Sequence, residues 1–184
     1  MADRVLVERA QTGDREAYEA LARSSTRRLY ATAYRIVRDA DAADDAVRQT
    51  LVAMWRELPS LRDADRFDAW TYRLVVRACL TERRRNQRRG VRLIPIDDMP
   101  LLTDDGAAMV DIRDQLERAL TELSRDHRAV LVLHLYVGLP LVEIAEILGV
   151  PAGTVGSRLH YARRSLRAAI AAGDRSPVTG GQPA

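Results

Sequence analysis

Thr154, Ser157, Arg158, Tyr161, Arg164 and Ser165 fall on one face of a helix, with Arg163 and Arg167 at its edges and His160 beside them. The chemistry open to such a face is recognition of a polyanion. A guanidinium donates through a fixed fork that matches phosphate or the edge of guanine. Ser157 and Arg158, near the start of the helix, are candidates for base edges, and Arg163, Arg164 and Arg167, further along, for phosphates. A solvated basic helix in an unrelated bundle carries the same charge, so the turn that precedes this helix has to discriminate.

No grouping points to bond chemistry. His127, His134 and His160 form no ligand spacing, Cys79 lacks a recognisable base partner, and no phosphate-cradling glycine loop occurs. An enzyme, a bound metal and a cofactor are therefore not expected. Cys79 is the single cysteine, which excludes an intrachain disulfide and a zinc cluster of His and Cys. All 29 Lys-or-Arg positions are arginine, but the net charge of +3 is too small to define a partner by itself. Met1 to Gln11 lacks the apolar run of a signal peptide, and nothing further on approaches the roughly 20 apolar residues of a membrane span. A cytoplasmic chain without direct membrane association is expected.

The elements that position these residues are helices. With 184 residues, 47% hydrophobic, 30% charged and 5% aromatic, the chain can bury real cores, and its Ala, Arg and Leu favour helix over strand. Apolar positions recur at helical spacing from Val5 to about Arg89 and from Ile112 to about Ala172. In the first block, Gly13 ends a short helix and Asp14 caps a second that runs through Tyr18, Leu21, Leu29, Tyr34 and Val37. A third starts at Asp41 or Ala43, buries Ala43, Val47, Leu51, Met54 and Leu58, and stops at Pro59. A fourth runs from about Phe67 towards Arg89 with Trp70, Leu74, Ala78 and Leu80 inward. The second block places Ile112, Leu116, Leu120 and Leu123 on one helix, and Val130, Leu131, Leu133, His134 and Leu135 on another, before Gly138 and Pro140.

The turn then supplies the discrimination. Leu141 to Leu148 forms a short helix with Ile144, Ala145 and Leu148 inward, Gly149 gives the tight exit, and Val150 to Val155 turns the chain into a helix that runs to about Ile170. Small Ala145, a glycine four residues later and apolar Val155 together make a helix-turn-helix. Leu159, Leu166 and Ile170 continue the buried side. The fold class expected is all-α, two small helical domains joined by a linker, the C-terminal one containing the helix-turn-helix. The domains are residues 1–89 and 112–172, with a linker at 90–111 and a disordered tail at 173–184.

Leu120-Thr-Glu-Leu-Ser-Arg-Asp-His-Arg-Ala-Val-Leu-Val-Leu133, Glu143-Ile-Ala-Glu-Ile-Leu-Gly-Val150 and Gly153-Thr-Val-Gly-Ser-Arg-Leu159 together resemble the extracytoplasmic-function group of the sigma-70 family. The resemblance covers roughly Asp14 to Arg167. It implies that the second domain reads the upstream, minus-35 promoter element, through Thr154, Ser157, Arg158, Arg163, Arg164 and Arg167. Gly156 stands where the family often has a basic residue.

Asp44-Asp-Ala-Val-Arg-Gln-Thr-Leu-Val-Ala-Met-Trp55 resembles the family's helix for gripping core RNA polymerase, which implies Asp41, Asp44, Asp45, Arg48 and Gln49 as contacts. An acidic cluster followed by an apolar stripe suits docking on a cationic partner helix, although helix N-terminal charge and core packing account for part of the pattern. Arg48 and Leu51 replace the family's usual Gln and Phe.

Phe67 to Arg85 is similar to the family's segment for reading and melting the downstream, minus-10 element. Strand opening needs cations for phosphates and flat surfaces for unstacked bases. Arg73, Arg77, Arg84 and Arg85, with Arg83, Arg88 and Arg89, supply the cations, and Trp70 and Tyr72 the rings. Trp70 also falls on the apolar stripe, and a solvated charge run is the plainer account of the arginines. Arg77 and Thr81 replace the family's common Asn and Asp.

The linker of about 20 residues spans on the order of 65 Å if extended, comparable to two turns of B-DNA, so two weak DNA contacts act as one strong one. Asp97, Asp98, Asp104 and Asp105 give it a negative charge, and the resemblance implies that it runs through polymerase channels that otherwise hold nucleic acid. The resemblance implies a factor with no enzymatic activity whose partners are core RNA polymerase, promoter DNA and an anti-sigma factor. An ordinary DNA-binding regulator, with the first block as a dimerisation or effector domain, is the alternative.

Overall fold

The computed structural model describes residues 4–86 and 118–173, and all regular structure among them is helical. The linker at 90–111 and nearly all of the tail at 173–184 lie outside the described residues, as do Ile112, Leu116, Arg88 and Arg89.

Helix α1 (Arg4–Gln11) ends where Gly13 takes φ +95°, and Asp14 then accepts a 3.1 Å hydrogen bond from the Ala17 amide to start α2 (Arg15–Val37). That pair works as the sequence indicates, because only glycine enters the left-handed region at little cost and an N-cap carboxylate satisfies an orphan amide. The cap of α3 (Ala40–Glu57) differs. It is Asp39, which accepts from the Ala42 amide at 2.7 Å, so the helix starts before Asp41 or Ala43 and Asp41 sits in its first turn. Two 3-10 turns, Leu58–Ser60 and Ala64–Arg66, lead into α4 (Phe67–Asn86).

Helix α4 is the hub of the molecule. Phe67, Thr71, Leu74, Val75, Val76, Ala78 and Cys79 are buried, far more than the single stripe expected from Trp70, Leu74 and Ala78. Its consecutive burial at Leu74–Val76 follows from its neighbours, since α2 and α3 pack on it from the first block and α6 and α7 from the second. Each fully buried Phe, Leu or Val side chain contributes about 1.5–3 kcal/mol of transfer free energy.

In the second block, helical residues 118–122 (α5) precede α6 (Arg125–Leu131), which Ser124 caps. The chain then widens into a π-turn over Val132–Tyr136, with the Val137 amide on the Val132 carbonyl at 3.0 Å. The turn breaks the helical register. Val130, Leu131 and Leu133 are buried as expected, but Leu135 and Tyr136 are exposed.

The helix-turn-helix is α7 (Leu141–Leu148) and α8 (Ala152–Gly173), with Gly149 between them at φ +65° and its amide on the Ala145 carbonyl. Helix α8 starts at Ala152 rather than Val155, because the Pro151 carbonyl already accepts from Thr154 and Val155. Buried Ile144 and Ala145 meet Val155, Leu159 and Ala162, and the buried residues of both blocks run into one continuous cluster.

Candidate nucleic-acid interface

On α8, the buried stripe Val155, Leu159 and Ala162, with Leu166 partly covered, turns the opposite side outward. Ser157, His160, Tyr161, Arg163, Arg164 and Arg167 are exposed there, whereas Thr154 and Arg158 are half-buried. Ser157 donates its hydroxyl to the Thr154 carbonyl at 3.0 Å, so its oxygen stays at the helix surface as an acceptor. Arg158 leans back against α6, with Nη2 3.8 Å from the Asp126 carboxylate and only 26% of the side chain exposed. The Tyr161 ring packs on His127 at 4.5 Å between centroids, tilted by 31°, and His127 Nδ1 lies 2.7 Å from the Ser124 hydroxyl. Burial first, and then the charge of Arg158, hold the His127 pKa below its ordinary value, with Asp126 opposing.

On α4 the candidates divide between two sides. Trp70 and Arg73, at helical spacing, turn towards α7 and line a cavity of about 160 Å³ with Leu61, Arg66, Glu143 and Glu146. Arg73 Nη2 donates to the Glu146 carbonyl at 2.6 Å, and Arg66 Nη2 lies 3.3 Å from the Glu146 carboxylate. Tyr72 lies on another side, where the Arg28 guanidinium sits 5.2 Å from its ring centroid while pairing with Asp68 at 2.7 Å. The structure therefore does not bring Tyr72 together with Trp70. Arg77 is exposed, and Arg84 and Arg85 fall in the last turn of α4.

On α3, Asp41, Asp44, Arg48 and Gln49 are exposed and Asp45 half-buried, with Arg48 paired to Asp45. The same outer side continues into Val52 and Trp55, 51% and 49% exposed. Trp55 is held by Tyr18, edge-on at 4.8 Å between ring centroids, and the Tyr18 hydroxyl donates to the Leu51 carbonyl at 2.6 Å. Val52 and Trp55 were not among the residues singled out from the sequence. The signal was present, since both lie off the stripe of Ala43, Val47, Leu51, Met54 and Leu58, and an apolar side chain off the buried stripe has nothing to cover it.

Two helical units, the second a helix-turn-helix with a cationic outer face, are an arrangement suited to a polyanion such as duplex DNA. The Sigma-70 region 2 family matches residues 21–89 and the Sigma-70, region 4 family residues 113–166. The ECF RNA polymerase sigma factor SigM of Mycobacterium tuberculosis is 33% identical over 154 residues, covering 84% of this chain and 77% of that one. SigL of the same species is 36% identical over 146 residues, covering 76% and 80%. Among solved structures, CnrH in complex with the cytosolic domain of CnrY matches with a TM-score of 0.66 and 28% identity, covering 94% of this chain and 99% of that one. The sigma factor RpoE of Bartonella quintana, in complex with the anti-sigma factor NepR, has the same fold, with a TM-score of 0.70 and 23% identity over 84% of this chain and 96% of that one.

The chain belongs to the ECF sigma factors of RNA polymerase. It is a regulatory protein without enzymatic activity that directs polymerase to specific promoters for initiation.

Proposed function

We propose that the family activity is divided among three faces of this chain. Helix α8 reads the upstream promoter element, with Ser157 and Arg158 at base edges beside Thr154, and with Arg163, Arg164 and Arg167 on phosphates. Helix α4 takes the downstream element, with Arg73, Arg77, Arg84 and Arg85 on phosphates and Trp70 and Tyr72 as surfaces for unstacked bases, which helps the duplex open. The outer side of α3 docks on core RNA polymerase through Asp41, Asp44, Asp45, Arg48 and Gln49, and Val52 and Trp55 add an apolar anchor. Residues 1–89 and 112–172 are the working parts and 90–111 the tether.

The observation that carries most weight is the two-sided α8. Behind a glycine turn, Val155, Leu159 and Ala162 are pinned in the core while guanidinium and hydroxyl groups occupy the outside. An anti-sigma factor is inferred as a further partner, because the sigma factor RpoE, of the same fold, is seen bound to the anti-sigma factor NepR, and CnrH, 28% identical, to the cytosolic domain of CnrY. The site of action is the cytoplasm, where the chromosome and polymerase are. Among the described residues no helix is long and apolar enough to cross a membrane.

The test is transcription in vitro with core polymerase on genomic fragments, with start sites mapped. Initiation at sites preceded by a shared two-part sequence is expected. Trp55→Ala is expected to weaken copurification with core polymerase by roughly ten-fold while leaving binding of duplex DNA unchanged. Absence of promoter-dependent initiation would overturn the assignment of function.

A further inference from the structure

We infer that Gln11 of α1 is a positioning residue for the downstream promoter strand: it holds the bend at residues 58–66, and so sets Leu61 and Arg66 beside Trp70 and Arg73. The inference rests on the proposed role of α4 and deepens it, adding the bend to the strand's seat and α1 to what shapes that seat.

Gln11 closes α1 and is half-buried. Its side-chain amide donates to the Leu58 carbonyl at 3.3 Å and to the Leu61 carbonyl at 2.5 Å, 47 and 50 residues further along the chain. An amide nitrogen has two protons, and this geometry gives each an acceptor. The two carbonyls bracket the 3-10 turn Leu58–Ser60, itself closed by the Leu61 amide on the Leu58 carbonyl at 3.1 Å. Leu61 then enters extended backbone, with φ −69° and ψ 110°, which takes its carbonyl out of helical register. Gln11 supplies the donor that a continuing helix would have supplied.

Packing alone does not define the shape of the bend. Leu58 is buried, but Pro59, Ser60, Arg62, Asp63 and Asp65 are exposed, so the core fixes the bend at its start and not along its length. A second tie from α1 pairs Arg4 Nη1 with Asp65 Oδ2 at 3.2 Å, but both side chains are mostly in water, where such a pair contributes little. The hydrogen bonds of Gln11 are shielded, and they come from a helix anchored in the core by Val7 and Ala10.

The bend bears directly on the strand's seat. Leu61 and Arg66 line the same cavity as Trp70 and Arg73, while Gln11 is not among its walls. The Phe67 amide donates to the Ala64 carbonyl, so the second 3-10 turn runs into α4 without a break. An unstacked base on Trp70 therefore has Leu61 as an apolar flank, and a phosphate held by Arg73 has Arg66 on the same wall. A displacement of about 1 Å in the bend spoils both contacts. Gln11 acts on the strand only through the carbonyls it holds.

The experiment reconstitutes the full chain with core polymerase and uses a promoter mapped for the unmodified holoenzyme. Three substitutions separate donation from shape. Gln11→Glu and Gln11→Met remove both donors with little change in length, and Gln11→Lys keeps a donor group of similar reach. Permanganate reactivity of thymines reads strand opening, a panel of single-base changes in the downstream element reads preference, and competition with the unmodified chain reads polymerase binding. Gln11→Glu and Gln11→Met are expected to reduce opening roughly ten-fold and to flatten the preference at a downstream position, with polymerase binding unchanged. Gln11→Lys should open within about two-fold of the unmodified chain. Leu61→Ala should reproduce the loss, and adding Gln11→Met to it should lower opening no further, because the two act in series.

Unchanged opening and preference in Gln11→Met, a Gln11→Lys variant as defective as Gln11→Met, or additive losses with Leu61→Ala would each overturn the inference. So would a loss of polymerase binding in step with opening, which would make Gln11 a support of the whole first block. All of these are read against an active unmodified holoenzyme. If that control itself fails to initiate, the proposed function falls, and this inference falls with it.

Discussion

Arg128 on α6 donates from Nε to the carbonyl of Ile36, the next-to-last residue of α2, at 2.8 Å, and so ties the helix that supports the helix-turn-helix to the first block. The side chain is buried, the whole residue being 6% exposed, and burial pushes its pKa down to about 10, which leaves it cationic at neutral pH. Three carbonyls, of Ile36, Leu120 and Thr121, replace the water it gives up.

Arg128→Met keeps most of the volume and removes every one of those donors. A loss of about 2–4 kcal/mol in unfolding free energy is expected from leaving buried carbonyls unpaired. Arg128→Lys should not restore it, because a single ammonium cannot reproduce the forked geometry. Urea denaturation checks this, and a loss below about 0.5 kcal/mol would mean that water replaces the guanidinium without penalty.

For Arg158, 26% exposed and drawn toward Asp126, the expected effect of Arg158→Ala is a relaxed sequence preference. Discrimination at one upstream base pair should fall by about 1–3 kcal/mol, with non-specific binding nearly unchanged. Binding to a panel of single-base variants of the promoter distinguishes the roles. A uniform weakening across the panel would make Arg158 a phosphate contact instead.

The thiol of Cys79 is fully buried in the middle of α4, and burial pushes its pKa up to about 12. Thiolate is the reactive form, so the native protein should resist thiol reagents at neutral pH and react fully once unfolded in urea. Rapid labelling under native conditions would show that α4 opens locally.

His127 provides the pH dependence. Its folded pKa is below the ordinary 6.5, from burial first and Arg158 second, so between that lower value and 6.5 the unfolded chain binds more protons than the folded one. The stability contributed by neutral His127 is therefore full above pH 6.5 and is lost as pH falls through the folded pKa. His127→Gln should flatten this part of the profile. Urea midpoints measured for both proteins at about pH 7.5 and about pH 5.5 test it, and parallel profiles would remove His127 as the source.

The helix-turn-helix was legible in the sequence because its determinants are local. Gly149 at φ +65°, small Ala145 and apolar Val155 act within one turn of chain, as do Gly13 and Asp14 between α1 and α2. The family resemblance, carried by the same local strings, pointed to the same fold and activity as the matches to residues 21–89 and 113–166. Local patterns also misled where geometry depends on hydrogen-bond register. Leu135 looked like a continuation of the apolar run Val130 to Leu133, but the π-turn over Val132–Tyr136 carries it to the surface.

What the tertiary structure decided is which surface meets which. Helical periodicity states that a side chain is buried and not what buries it, so the consecutive burial of Leu74, Val75 and Val76 on α4 and the three carbonyls around Arg128 could not be read from spacing. The same holds for Glu146, 73 residues beyond Arg73 in sequence, whose carbonyl receives that guanidinium. The order of residues determined a polymerase specificity factor with a duplex-reading helix pair. Only the packing of α7 on α4 placed the acidic side of that pair over the cations of the first block, because such a contact depends on two faces being complementary across space.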